Sequence, residues 1–480
     1  MMSESDNWPL VIDLDGTLIK TNSLDETFLD ALRADPLALW RLPIQCIIGR
    51  PAAKAFLAGK SPLDVETWPV RQDFLDYVEA QFKAGRKVVL ASGADSRVAQ
   101  AIAARFPFIS EVIASDGACN MKGETKALRL RELFPNGFIY AGDGAADLAV
   151  WQVGSANVLV NATSGVVRRA KRLGEPRAVF LRDPVTLNIL RRSLRLHQWA
   201  KNLLVFAPLV LAGKAADLSA WSSALLGFFA LSFVASATYI INDLWDLPSD
   251  RRHWSKRMRP LASGELSIRA GIVLVIAGLV AGFGLVTSAG PAALAMLALY
   301  VALALSYSFA WKRVAILDVF VLACLFTLRL GFGIVLTDVR LSPWTLMFSM
   351  FVFMSLSMAK RHAEVLRLAD HGLEGTHGRG YIADDAPLTL GIGLASMFCA
   401  LLIMILYLIE DAIPRGVYAN PTYLWAIPFI LFLFIGRIWL LSQRGQLRDD
   451  PVAFALKDRV SLLLGLLMGI VFAAALIKVG

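Results

Sequence analysis

Asp13-Leu14-Asp15-Gly16-Thr17 follows the apolar run Leu10-Val11-Ile12. Two carboxylates two positions apart at the end of an extended segment point to the same side. Asp13 can attack phosphorus as a nucleophile, while Asp15 protonates the leaving oxygen and then activates water. Ser92 offers a hydroxyl to phosphoryl oxygens, Lys126 a positive charge at a helix start, and Asp143 completes a Mg²⁺ site with Asp13 and Asp15. Asp147 lies one helical turn beyond Asp143 and can support that site. A bare turn would also explain Asp-x-Asp-Gly-Thr, but it would not explain Ser92, Lys126 and Gly142-Asp143 following in register.

A second acidic set, Asn242-Asp243-x-x-Asp246-x-x-x-Asp250, closes a long apolar run. Spacings of three and four place Asp243, Asp246 and Asp250 along one helical face, where three carboxylates repel unless they share a cation. Mg²⁺ carrying a diphosphate suits such a set, because it prefers a few carboxylates plus phosphate oxygens. Charge at a membrane surface is costly and usually functional. Solvation of a helix end is the plain alternative, and it suits one aspartate better than three.

The elements that must position these groups fall into two kinds. Leu10 to Thr17, Val88 to Gly93 and Gly137 to Asp143 read as short buried strands ending in turns, with amphipathic segments such as Ala127 to Leu133 between them. That alternation implies a parallel sheet covered by helices, with ligands beyond the carboxyl ends of its strands. The segment between Thr17 and Ser92 is long enough for a small helical cap. After about residue 190 the chain becomes a series of apolar stretches near the roughly 20 residues that cross a bilayer.

The composition, 56% hydrophobic with a mean hydropathy of +0.56, requires part of the chain to sit in lipid. Nine spans are expected, centred near residues 206, 232, 278, 300, 325, 351, 399, 431 and 469. The net charge of +9 does not indicate nucleic acid, because Lys and Arg concentrate between the apolar runs. Arg251, Arg252, Lys312, Arg313, Lys360, Arg367, Arg379, Arg444, Arg448, Lys457 and Arg459 fall on one side, against Lys214, Arg340 and Arg415 on the other. The positive-inside bias places the N-terminal domain and both acidic sets in the cytosol, and an odd number of spans places Gly480 outside. No secretory signal is expected, since the run from Leu10 is short and carries two aspartates. Cys46, Cys119, Cys324 and Cys399 have neither metal-ligand nor disulfide spacing.

The N-terminal motifs resemble those of the haloacid dehalogenase superfamily of phosphatases, in order and over nearly the whole segment. That resemblance implies an aspartyl-phosphate at Asp13. The Asn242 to Asp250 motif resembles the UbiA superfamily of intramembrane prenyltransferases, in which it holds Mg²⁺-diphosphate. Within it the chain is most similar to the decaprenyl-phosphate phosphoribosyltransferase branch, through Arg195-x-x-Gln198-Trp199-x-Lys201-Asn202, Asp250-Arg251-x-His253-x-x-Lys256-Arg257-x-Arg259-Pro260, Tyr307-x-x-x-Trp311-Lys312 with Leu317-Asp318, and Lys360-Arg361-x-x-Glu364. Trp311 stands where that branch implies Leu, and Trp254 where it implies Pro. The second Asp-rich motif of quinone and haem prenyltransferases shrinks here to Lys312 and Asp318.

The fold class expected is an α/β Rossmannoid domain with a helical cap over residues 1–185, a basic interfacial segment over 186–202, and an all-α membrane domain of about nine helices over 203–480. The activity implied is transfer of 5-phosphoribose from phosphoribosyl diphosphate to a polyprenyl phosphate, then removal of the 5-phosphate by the N-terminal domain, with Mg²⁺ in both domains. Lys201, Asn242, Lys256, Arg257, Arg259, Tyr307, Lys312, Asp318, Lys360, Arg361 and Glu364 would bind substrate. The cations among them answer a substrate pair rich in phosphate, although ordinary positive-inside charge accounts for any single one. A location in the cytoplasmic (inner) membrane follows, and a homo-oligomer is compatible with it. The rivals are prenyl transfer to an aromatic acceptor and a transport or lipid-binding protein carrying a regulatory phosphatase.

Overall fold

The computed structural model describes residues 8–340, 342–370, 380–447, 451–455 and 457–477. Arg379, Arg448 and Gly480, used above for orientation, lie outside the described residues. The chain forms two compact units, one of residues 1–194 with Asp243–Leu274, the other of Arg195–Asn242 with Val275–Gly480. A simple division at the 186–202 segment is therefore not what the packing gives, because the stretch that carries Asp243, Asp246 and Asp250 packs with the N-terminal residues.

The first unit is built on six parallel strands, β1 (Leu10–Ile12), β2 (Val88–Asp95), β3 (Ile109–Ser115), β4 (Ile139–Gly142), β5 (Ala156–Val160) and β6 (Ala178–Phe180), in the order β3-β2-β1-β4-β5-β6. The chain order reverses beside β1, so the carboxyl ends of β1, β2 and β4 open onto one crevice. Strands buried on both faces read as continuous apolar runs. Leu10, Ile12 and Leu90 accordingly join one core with Val98 and Ile102, and Val11, Val89 and Tyr140 join the other with Leu130 and Trp151. The expected cap is present between β1 and β2 as α1 (Ser23–Ala34), α2 (Leu42–Ile48) and α3 (Arg50–Lys60).

Among the described residues, seven helices are long and apolar enough to cross a membrane, from Leu218–Trp245 to Arg459–Leu476. The chain is an integral membrane protein. Two of the nine expected spans differ. Near residue 206 the chain forms a 3₁₀ stretch, Leu196–Phe206, and a five-residue helix carrying Pro208, which is too short to span. Near residue 351 the Pro343–Asp370 helix has 28 residues, length enough, but its second half carries Lys360, Arg361, Glu364 and Arg367.

In lipid, helices gain little from apolar burial and associate where small residues let backbones approach. Gly278 and Gly282, one turn apart, do this against the Leu218–Trp245 helix. A Cβ at Gly278 would lie 3.0 Å from the Phe233 carbonyl oxygen, and one at Gly282 would lie 2.5 Å from Val234 Cγ2 and 2.8 Å from the Ala230 carbonyl oxygen. A backbone oxygen cannot rotate away. Gly282→Ala should therefore force the helices apart and lower stability by about 1–3 kcal/mol. Thermal unfolding in detergent should show a reduced Tm, while Gly284→Ala, which meets nothing within 4 Å, should leave it close to wild type.

Candidate active sites

The turn after β1 fixes the first site. Gly16 adopts φ +73°, and a Cβ there would stand 2.3 Å from Asp143 Oδ2, so only glycine lets the β1 and β4 loops close on each other. Asp13, Asp143 and Asp147 each offer an oxygen within 4.8 Å of the others, the sole such group of three metal-ligating side chains found among the described residues. Lys126 Nζ, buried, donates to Asp13 Oδ1 at 2.8 Å and to the Tyr140 hydroxyl at 2.8 Å. That hydroxyl donates to Asp147 Oδ1 at 2.7 Å, and Asp147 Oδ2 accepts from the backbone N–H of Asp143 and Gly144. Ser92 lies within β2, fully buried, and its Oγ accepts from Ala94 N–H at 3.0 Å.

Asp15 departs from its expected place among the metal ligands. Its carboxylate accepts from Ser23 N–H at 2.7 Å and Ser23 Oγ at 2.9 Å, so the start of α1 holds it apart from the other three oxygens. That placement suits an acid and base rather than a ligand. Burial raises the Asp15 pKa, and the Ser23 hydrogen bonds offset part of that rise.

Burial also pushes Asp13 up to about 6 despite Lys126, and pushes Asp143 up to about 8 with the charges of Asp13 and Asp147 adding to it. Burial alone would lower Lys126, but Asp13 and Asp147 outweigh it and the net shift is upward. Three carboxylates against one ammonium leave excess negative charge in a desolvated pocket, which is the donor set a hard divalent cation takes.

Lys54 was not marked by the sequence. It projects from α3, donates to the Gly93 carbonyl at 2.5 Å and to Asn120 Oδ1 at 2.9 Å, and lines the site's mouth with Lys122 and Asp15. No local spacing signalled it, because the cap brings it over the strands from far along the chain.

The second acidic set does not lie along one helix. The Leu218–Trp245 helix ends at Trp245, and Asp246 caps a new short helix, Leu247–Arg252, whose second residue is Pro248. A proline donates no hydrogen bond to the carbonyl four residues earlier, here that of Leu244. Arg33 of α1 supplies the missing donors, at 2.8 Å to the Leu244 carbonyl and 2.9 Å to that of Trp245. After the break, Asp243 and Asp250 are bridged by Arg259, whose Nη1 lies 3.0 and 2.5 Å from them. Arg259 therefore offsets part of the pair's charge rather than standing open to substrate. Its position between two carboxylates is one that a divalent cation could also fill. Burial raises the Asp250 pKa, and Arg259 offsets it. Lys256 Nζ approaches Asp250 Oδ1 at 4.0 Å, and Arg257 is exposed.

In the second unit, Lys312 donates to Asn242 Oδ1 at 3.4 Å. Asp318 and Arg361, expected to face substrate, are both buried and spend their charge on each other. Arg361 Nε donates to Asp318 Oδ2 at 2.7 Å and Nη1 to Glu364 at 2.6 Å, while the Tyr381 hydroxyl donates to Asp318 Oδ1 at 2.8 Å. Lys201 sits over the Phe326 ring, and Tyr307 and Lys360 are half-buried. The sequence reading also passed over Arg329, buried in the Leu317–Thr337 helix. It donates to Asn202 Oδ1 at 3.0 Å, to the Leu325 carbonyl at 2.5 Å and to the Tyr300 hydroxyl at 2.9 Å.

The two units thus define a phosphatase-like α/β domain fused to a polytopic membrane transferase. The chain belongs to the UbiA prenyltransferase family, which it matches over residues 203–458, and residues 10–152 match the haloacid dehalogenase-like hydrolases. The protein y4nM of Sinorhizobium fredii is 40% identical over 98% of this chain and 91% of its own. The nodulation protein NoeC of Azorhizobium caulinodans is 33% identical over 58% of this chain and 91% of its own. The decaprenyl-phosphate phosphoribosyltransferase of Mycobacterium tuberculosis is 29% identical over 57% and 90%. The structure of a UbiA homolog from Archaeoglobus fulgidus bound to DMAPP and Mg²⁺ aligns with a TM-score of 0.46 at 15% identity, over 59% of this chain and 96% of that one.

The raised Asp13 and Asp143 values set a pH dependence. Each group holds its proton in the folded chain at pH values where an unfolded carboxyl has lost it, so metal-free stability falls as pH rises through about 8. A divalent cation held by these carboxylates would have to displace those protons. Its affinity should therefore rise between about pH 6 and 8, by up to roughly tenfold per pH unit for each proton released. Titration calorimetry in two buffers of different ionisation enthalpy should detect the release, and a pH-independent affinity would contradict the assignment of these ligands.

Proposed function

We propose that the membrane domain transfers 5-phosphoribose from phosphoribosyl diphosphate to a polyprenyl phosphate, and that the N-terminal domain then removes the 5-phosphate to leave polyprenyl-phosphoryl-ribose. The observation that carries this reading is the match to a named decaprenyl-phosphate phosphoribosyltransferase along 90% of that protein's length. The state of Asp318 supports it against prenyl transfer to an aromatic acceptor. A second metal set for a prenyl diphosphate would need open carboxylates, and the oxygens of Asp318 are already taken by Arg361, Tyr381 and the Val319 N–H.

The residues divide the work. Asp243, Asp246 and Asp250 would hold one Mg²⁺ and Asp13, Asp143 and Asp147 another, and the ions would offset charge on a departing diphosphate and on phosphoryl oxygens respectively. In the transferase, Lys256, Arg257, Lys312 and Lys360, with Lys201, would supply cations for the phosphates, and Asn242, Tyr307 and Glu364 would supply polar contacts. The lipid phosphate oxygen forms the new bond to ribose C1 as the diphosphate leaves, with no protein nucleophile. In the phosphatase, an Asp13 oxygen attacks phosphorus while the Asp15 proton passes to the leaving sugar oxygen. Asp15 then takes a proton from the water that cleaves the aspartyl-phosphate. Lys126 holds Asp13 ionised and oriented, and Ser92 contacts a phosphoryl oxygen. Both sites face the cytosol at the inner membrane in this reading.

Purified protein incubated with labelled phosphoribosyl diphosphate and polyprenyl phosphate tests it. Asp243→Ala with Asp246→Ala should reduce lipid labelling to below a few per cent. No lipid labelling by the wild type, with transfer from a prenyl diphosphate to an aromatic acceptor instead, would favour the rival. Asp13→Asn should leave labelling in place but yield lipid that keeps its second phosphate, because an amide cannot accept the phosphoryl group. A product identical to wild type from that variant would remove the phosphatase from the sequence.

A further inference from the structure

Two depressions adjoin in the first unit. One is polar and small, lined by Asp15, Asn22, Ser23, Lys54, Asp95 and Lys122 at the mouth of the phosphatase site. The other is a cavity of about 480 Å³ walled chiefly by Leu24, Phe28, Leu42, Leu57, Ile268 and Ile272. Leu24 and Lys54 line both. We propose that the larger cavity holds the isoprenoid chain of a membrane-anchored phosphate ester whose phosphate enters the smaller one, so that the N-terminal domain acts on lipid-linked phosphates in preference to free ones. This rests on the phosphatase role proposed above and adds the recognition of its substrate's tail.

The chemistry of the walls selects an amphiphile. A cavity of this size lies in the range that holds small ligands; Asp25, Arg50 and Lys54 also line it, but most of its wall is apolar, which favours a hydrocarbon chain over a sugar or nucleotide. Its polar neighbour supplies the Lys54 and Lys122 ammonium groups beside Asp15, which suits a phosphate and not a second apolar group. The order of these surfaces, cationic at the carboxylates and apolar behind them, is the order of groups in a prenyl-linked phosphate.

The far wall identifies where such a chain would come from. Ile268 and Ile272 are one turn apart at the start of the Ile268–Ala289 helix, which is long and apolar enough to cross a membrane, and Val273, Ile276 and Val280 stand exposed farther along it. A chain leaving the cavity along this helix continues onto a lipid-facing surface. The cap carries a second lipid signature. Leu37, Trp40, Ile44, Ile47 and Ile48 are all more than half exposed. Five large apolar side chains within a dozen residues are costly against water and ordinary for a helix lying at a bilayer interface.

The test uses the full-length protein in lipid nanodiscs with two synthetic monoesters, farnesyl riboside 5-phosphate and methyl riboside 5-phosphate, followed by phosphate release. The farnesyl compound should show kcat/KM higher by on the order of a hundredfold, since a few buried methylenes suffice for that. Leu42→Asp, at a half-buried cap position, and Phe28→Ser should each cut the ratio of the two kcat/KM values about tenfold or more, with the methyl riboside rate reporting that the domain is folded. Equal kcat/KM for the two esters in the wild type, or a ratio that neither substitution changes, overturns the proposal. Should neither riboside react while para-nitrophenyl phosphate does, the sugar assignment fails separately, and farnesyl phosphate against methyl phosphate decides the cavity by the same ratio. Protection of Cys46, which lines the cavity, from maleimide in a dimer without any chain preference would assign the cavity to a second copy and overturn it as well.

Discussion

A buried ion pair between Glu26 and Arg251 holds the acidic membrane-motif segment against the phosphatase cap. Both side chains are under 5% exposed, the two guanidinium nitrogens lie 3.1 and 2.6 Å from the carboxylate, and Thr21 Oγ1 adds a third donor at 2.6 Å. Removing one partner of such a pair typically costs about 3–5 kcal/mol, because the other is left charged and desolvated. The pair is flanked by Arg33 on the carbonyls of Leu244 and Trp245 and by Arg269 on Asp25. Glu26 sits one turn after Ser23, the residue that fixes Asp15. One helix, α1, therefore holds Asp15 on one turn and the segment that carries Asp243 and Asp250 on the next.

Charge neutralisation is solved three ways in this molecule. In the α/β site one Lys126 faces three carboxylates, and burial together with the charges of Asp13 and Asp147 raises Asp143, which leaves the site short of a cation. Between Asp243 and Asp250 a partly exposed arginine bridges the two carboxylates, with Lys256 4.0 Å from Asp250. At Asp318 the balance with Arg361 is buried on both sides and closed by a tyrosine, so it belongs to the framework. The number of unpaired charges, rather than the number of acidic residues, separates a metal-ready site from a structural one.

This explains which parts were legible from sequence. Asp13 and Asp143 directly follow β1 and β4, Asp15 sits in the turn after β1, Ser92 within β2 and Lys126 in the first turn of its helix, so local spacing and apolar runs placed them, and the strand order sets β1, β2 and β4 side by side. The roles of Arg259, Arg361 and Asp318 depended on partners far along the chain or on a break in helical phase, and residue type alone read them as substrate contacts. The break was readable in principle. Pro248 cannot continue the helix that the spacing of Asp243, Asp246 and Asp250 suggested. Lys54, Glu26 and Arg329 carried no local signal, since a lone charged residue in a helix is ordinary until its burial is known. The short stretch near Pro208 was overcounted as a span because apolar composition does not reveal helix length.

The packing of Asp243–Leu274 with the N-terminal residues also bears on how such a fusion could be undone. NoeC aligns with 58% of this chain and 91% of its own length, so a relative can do without the remainder. In this protein the arginines at 251, 252 and 269 each lean on an acidic residue of the cap, namely Glu26, Asp64 and Asp25. Loss of the N-terminal half by a single genetic event would take the carboxylate from the buried Arg251 and the donors from two helix-end carbonyls, whereas the largely exposed Arg252 and Arg269 would return to solvent at little cost. Joining two genes needs one step, whereas parting them again would need several compensating substitutions at once, and in that sense the fusion works as a ratchet.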